Sequence, residues 1–76
     1  MKLNVGDIIQ VHGWVMLNKL NDGDKFKVAK ITKQGFDNVY WFTKPRGKKL
    51  IIGHRAVSVD SAIHNNGINR IEVITQ

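Results

Sequence analysis

Apolar and polar positions alternate with a period of two in several short runs, and the runs are separated by turn-forming residues. The clearest spans residues 24–33, where Phe26 and Val28 point one way and Lys25 and Lys27 the other, as a strand with one buried face requires. Ile31 is out of phase with that pair. Returning it to the core takes one extra residue, so a bulge is expected near Ala29 and Lys30. Residues 8–16, rich in Ile, Val and Trp, predict an earlier strand with Gly13 marking a bulge or bend. Residues 38–43, 48–54 and 68–74 complete a set of five.

The connections are legible from the same pattern. Residues 17–23 read as a loop whose apolar anchors, Leu17 and Leu20, tuck inward. Residues 34–37 form a turn. Residues 44–47, Lys-Pro-Arg-Gly, place Pro second and Gly fourth, the pattern of a type I turn, and so predict a tight hairpin. Residues 58–64 are the one plausible helical turn: Ser58 or Asp60 can cap it, Val59 and Ile63 share a face, and Asn65-Asn66-Gly67 can end it. Five short strands with a single helical turn before the last predict an all-β, small five-stranded SH3-like barrel occupying residues 1–76 as one domain. An OB-fold is the topological alternative, but its helix falls between the third and fourth strands, where Pro45-Arg46-Gly47 leaves no room.

Composition supports a β fold. The chain has nine Ile and eight Val but four Leu, three Ala and one Glu, favouring strands over helices. At 76 residues it buries only roughly 60% of its extended surface on folding, so the core is thin. The absence of cysteine excludes disulfides, thiolate metal sites and a cysteine nucleophile. No stretch approaches the roughly 20 apolar residues of a membrane-spanning helix, and the opening Met1-Lys2-Leu3-Asn4-Val5-Gly6-Asp7 has no apolar signal core, so a cytoplasmic location is expected.

Two segments, Val5-Gly6-Asp7-Ile8-Ile9-Gln10-Val11 and Gly23-Asp24-Lys25-Phe26-Lys27-Val28-Ala29-Lys30-Ile31, resemble the opening Gly-Asp strands of KOW-type SH3-like domains of ribosomal and transcription proteins. The resemblance implies nucleic-acid or ribonucleoprotein binding without enzymatic activity. The interval between the two segments is longer than in the compact KOW pattern, so no family residue is carried over individually.

Charge sharpens the expectation. Residues 25–55 carry nine of the twelve cations against one acid, a net of +8, while the remaining positions carry three cations against five acids, a net of −2. Clustered cations are what counterion release from a polyanion requires. The residues expected to contact nucleic acid are Lys25, Lys27, Lys30, Lys33, Lys44, Arg46, Lys48, Lys49 and Arg55, with Tyr40 or Trp41 as a ring on which a base can stack. Alternation sets Tyr40 and Phe42 on one face and Trp41 on the other, so one set belongs to the core. Lysines on exposed strands equally serve to block edge-to-edge aggregation. Trp14, beside Gly13, is similarly open to either role.

Chemistry of other kinds is absent from the pattern. His12, His54 and His64 lack metal-ligand spacing, Ser58, Asp60, Ser61 and His64 crowd one short turn without an oxyanion-hole motif, and Pro45-Arg46-Gly47-Lys48-Lys49 lacks the spacing of a P-loop. No enzyme, cofactor or metal is expected. The expected partner is DNA or RNA, bound with low sequence specificity. The alternatives are an acidic protein partner docked by a regulatory module or inhibitor, of the compact lysine- and asparagine-rich kind common among phage products, or a structural subunit of a larger particle.

Overall fold

Strands form where β-branched and aromatic residues alternate with polar ones, and they join into one sheet because each has a single apolar face to bury. The computed structural model describes residues 3–75, with the backbone alone at Ile52 and Thr75. In chain order the elements are β1 (Ile8–His12), β2 (Lys25–Gln34), β3 (Asp37–Thr43), β4 (Ile52–Arg55), α1 (Ala56–His64) and β5 (Arg70–Thr75). The sheet is antiparallel with order β4-β3-β2-β1-β5. This is the five-stranded all-β arrangement expected from the pattern, with one short helix before the last strand. It differs in one respect: β4 and β5 form no ladder, so the sheet is not closed into a barrel. Helix α1 lies against β5, β3 and β4 and contributes Val59 to the core. Among the described residues no helix is long and apolar enough to cross a membrane.

The core gathers Ile9 and Val11 of β1, Phe26 and Val28 of β2, Tyr40 and Phe42 of β3 and Ile71 of β5. Phe42 is its aromatic hub, with the Phe26 ring 6.1 Å and the Tyr40 ring 6.5 Å away. Such tilted and edge contacts contribute about 0.5–1.5 kcal/mol each beyond area burial. The bulge expected in β2 is present: the β2–β3 register shifts between Val28 and Lys30, and Ile31 packs against the core.

Several boundaries move, among them the start of β5, which falls at Arg70 rather than residue 68. β1 ends at His12 rather than continuing to residue 16, because Gly13 turns into the left-handed region at φ 70° and its N–H donates to Asp22 Oδ1. Helix α1 begins at Ala56, directly from β4, with no side-chain cap; Asp60 instead accepts from the Tyr40 hydroxyl at 3.3 Å. β4 starts at Ile52, not at residue 48. The Pro45-Arg46 turn does form, with the Gly47 N–H donating to Lys44 O at 2.9 Å, but it does not close the hairpin. In a hairpin closed there, Lys49 would face Phe42 on the core side; the observed register sets Ile52 opposite Phe42 and leaves Lys48 and Lys49 outside the sheet. Avoiding a buried unpaired lysine outweighs the tighter turn.

His54 ties the long 13–24 segment to the sheet. It stands opposite Tyr40, is buried, and its Nε2–H donates to the Asn18 carbonyl at 3.0 Å. Burial pushes its pKa below the ordinary 6.5, a shift the Asn18 bond partly opposes. Above the unfolded value both states are neutral. Below it the unfolded chain takes up a proton first, so stability falls until the pH passes the folded pKa. The melting temperature should therefore drop as pH falls from about 7 to about 5, and His54→Gln should flatten that part of the curve. Identical slopes in the two proteins would assign the pH dependence to other groups.

Candidate nucleic-acid interface

The ladder register fixes which side chains share the face turned away from the core. Lys27 lies opposite Thr43, Lys30 opposite Trp41 and Thr32 opposite Val39; Trp41 and Val39 in turn lie opposite Gly53 and Arg55. Lys25 is in phase with Lys27. Three lysines of β2, the indole of β3 and the guanidinium of β4 thus occupy one surface. Lys30 belongs to it only because of the bulge, since strict alternation from Lys25 and Lys27 would turn it toward the core side.

Trp41 sits at the centre of this surface. Its Nε1–H donates to Thr32 Oγ1 at 2.8 Å, and Lys30 Nζ stands 5.3 Å from the ring centroid. The other neighbour is Gly53, where a Cβ would come within 2.9 Å of Val39 Cγ1 and 3.1 Å of the indole. The ring is held by a strand on either side and remains half-buried.

The acids do not neutralise the lysines, because each acid is engaged elsewhere. Asp7, Asp22 and Asp24 accept from the backbone N–H groups of Asn4, Gly13 and Asn21. Asp60 accepts from Tyr40, and Glu72 pairs with His12 at 2.8 Å. Asp37 pairs with Arg55. Among the described residues Arg55 is therefore the one member of the nine-cation set tied to a carboxylate, an exposed pair of the kind that contributes about 0–1 kcal/mol.

The remaining expected contacts spread out from this surface. Lys48 lines a hollow shared with Lys27 and Thr43. Arg46 and Lys49 are exposed in the 44–51 connection. Lys44 places Nζ 4.8 Å from the Phe26 ring centroid, over one end of the core. Lys33 lies at the far end of β2, opposite Asn38 and out of phase with Thr32, so it faces the other side. Tyr40 is 2% exposed and has no free ring face, so of the two candidate stacking rings only Trp41 is accessible. Burial, and to a lesser degree the neighbouring Asp60 carboxylate, raises the Tyr40 hydroxyl pKa above its ordinary value. Phe36, which the alternation does not single out, is fully exposed at the β2–β3 turn; its place beside Gly35 in a turn is the signal for it.

The helix side differs in character. Trp14 is 70% exposed, yet its backbone is fixed: its N–H donates to Asn69 Oδ1 at 2.8 Å, and a Cβ on Gly13 would lie 2.2 Å from that same oxygen. Beside it a groove of about 470 Å³ runs between residues 14–17 and the Ser58, Ser61 and Asn65 side of α1, with no charged residue lining it. No three His, Asp or Glu groups among the described residues come together as a metal site.

Gly53→Ala tests the seating of Trp41. The added methyl should lift the indole, lower stability by about 1–3 kcal/mol, reduce the melting temperature by several degrees and move the Trp41 indole N–H resonance. An unchanged resonance and melting point would show that the ring does not rest on Gly53.

Comparison with protein-family models, with curated proteins and with solved structures finds no match for this chain.

Proposed function

We propose that this chain is a non-enzymatic nucleic-acid-binding domain of the cytoplasm that holds DNA or RNA mainly by its phosphates, with little sequence specificity. The observation that carries the reading is the free lysine set. Lys25, Lys27 and Lys30 share the face around Trp41, Lys48 adjoins Lys27, and the acids that might pair with them are occupied elsewhere. Phosphate contacts of this kind position a strand without reading bases. Trp41 supplies the surface on which an unpaired base stacks, at about 1–3 kcal/mol, with Lys30 moving aside to meet a phosphate. The likeness of residues 5–11 and 23–31 to KOW-type domains points the same way.

With about five phosphates engaged, log K should fall against log salt with a slope of roughly −4.5 on duplex DNA, a loss of several hundredfold between ~50 and ~200 mM salt. Replacing Lys25, Lys27 and Lys30 together with Glu should weaken binding strongly and shrink that slope by roughly 2.7. Replacing Arg46, Lys48 and Lys49 with Glu should weaken it as well. Salt-independent affinity, or full binding by both triple variants, overturns the reading.

The helix side favours a second reading, a protein-binding module. An exposed tryptophan on a backbone locked by Asn69 and Asp22, next to an uncharged groove, has the character of an interface anchor. A pull-down with and without nuclease separates the two. Partners lost on nuclease treatment support nucleic-acid binding. Partners that survive nuclease but are lost by Trp14→Ala support the module.

A further inference from the structure

The hollow at the β2 bulge carries a more specific assignment, which rests on the nucleic-acid reading. It measures about 300 Å³ and is walled by Gly6 of the opening turn, Lys27 and Ala29 of β2, Thr43 of β3, and Gly47 and Lys48 of the 44–51 connection. No carboxylate lines it. Two of its lining residues are lysines, and the two glycines bring no side chain. Lys27 is the register partner of Thr43, so the two side chains are neighbours on one face of the sheet.

Thr43 is the anomaly. It is 1% exposed, and its Oγ1 is the one buried side-chain polar atom among the described residues without a hydrogen-bond partner. Buried hydroxyls are almost always paired, and an orphan calls for a specific explanation. A hydroxyl can turn its proton toward an oxyanion, and hydrogen bonds to a charged acceptor are stronger than neutral ones. We infer that this hollow is a subsite for one tetrahedral oxyanion, with Lys27 and Lys48 supplying the countercharge and Thr43 Oγ1–H, which is covered in this structure, donating to an oxygen once the side chains that share the hollow with it part. In the complex proposed above the occupant is a backbone phosphate of the bound strand, which this subsite fixes in register at the mouth of the β2 bulge.

The test is an NMR titration of the whole chain with inorganic phosphate at constant ionic strength, against chloride as control, followed by short DNA and RNA oligonucleotides. Phosphate should shift the amides of Lys27, Thr43, Gly47 and Lys48 together. Thr43→Val should weaken phosphate roughly tenfold while leaving the phosphate-free melting temperature equal or higher, because the substitution removes an unpaired buried hydroxyl. That combination distinguishes a ligand-holding hydroxyl from a structural one. Lys48→Met, at an exposed position outside the sheet, should weaken phosphate without lowering the melting point. Shifts matching those in chloride, or phosphate affinity unchanged in Thr43→Val, overturn the subsite. Oligonucleotide binding that keeps its salt slope while Thr43→Val alters neither ligand leaves the general reading standing and removes the subsite alone. Phosphate binding in the hollow with no oligonucleotide binding keeps the subsite and removes the nucleic-acid reading.

Discussion

One extra residue in β2 decides both what this sheet buries and what it displays. Strand side chains alternate, so a single inserted position reverses every side chain beyond it. Before Ala29 the core residues are Phe26 and Val28, and the displayed ones Lys25 and Lys27; after it Ile31 is inward and Lys30 outward. With no bulge, Ile31 would face water and Lys30 would enter the side occupied by Tyr40 and Phe42. The hydrophobic demand of a thin core therefore enforces the placement of the third lysine. The charged face follows from how the apolar face is satisfied.

A second constraint works through the acids. Six carboxylates are enough to compensate half of the twelve cations, and distributed over the surface they would erase the asymmetry. The fold instead assigns them structural tasks. Asp7, Asp22 and Asp24 hold turn and loop backbone, Asp60 holds Tyr40 against α1, and Glu72 bridges β5 to β1 through His12. Each task satisfies a donor that the irregular 13–24 segment or the sheet margins leave open. The lysines of β2 are left without a carboxylate partner among the described residues, the state in which a polyanion gains most from displacing counterions.

What the sequence reveals depends on whether the deciding partner is local. The β2 bulge is legible because phase is a property of neighbouring positions, and so is the division of Tyr40 and Phe42 from Trp41. Which of those two faces is the core is not, since that depends on Val59 of α1 and on β1 across the sheet. The Lys44–Gly47 turn is legible as a turn, but it does not close the hairpin, because the register is chosen by what stands opposite Phe42 rather than by turn chemistry. The end of β1 was hidden for the same reason: Gly13 and Trp14 are fixed by Asp22 and by Asn69, which lies 55 residues beyond Trp14. The clustering of cations in residues 25–55 could be counted. The freedom of the lysines among them from carboxylates could not, because it rests on where every acidic side chain is engaged.

Three departures from local rules fall in one part of the sheet. A glycine in a strand weakens it, and Gly53 is there because an indole occupies the space of its side chain. A buried hydroxyl without a partner destabilises, and Thr43 carries one. A bulge disrupts a ladder, and Ala29 lines the same hollow as Thr43. All three lie in the β2–β3–β4 part of the sheet, Trp41 and Thr43 are successive outward positions of β3, and Lys27 and Lys30 stand opposite them. In a chain of 76 residues with little stability in reserve, departures from the most stable choice tend to gather where a site is built. Their concurrence on the lysine-bearing face, while the core side stays well packed around Phe42, is the physical reason to look for the ligand there.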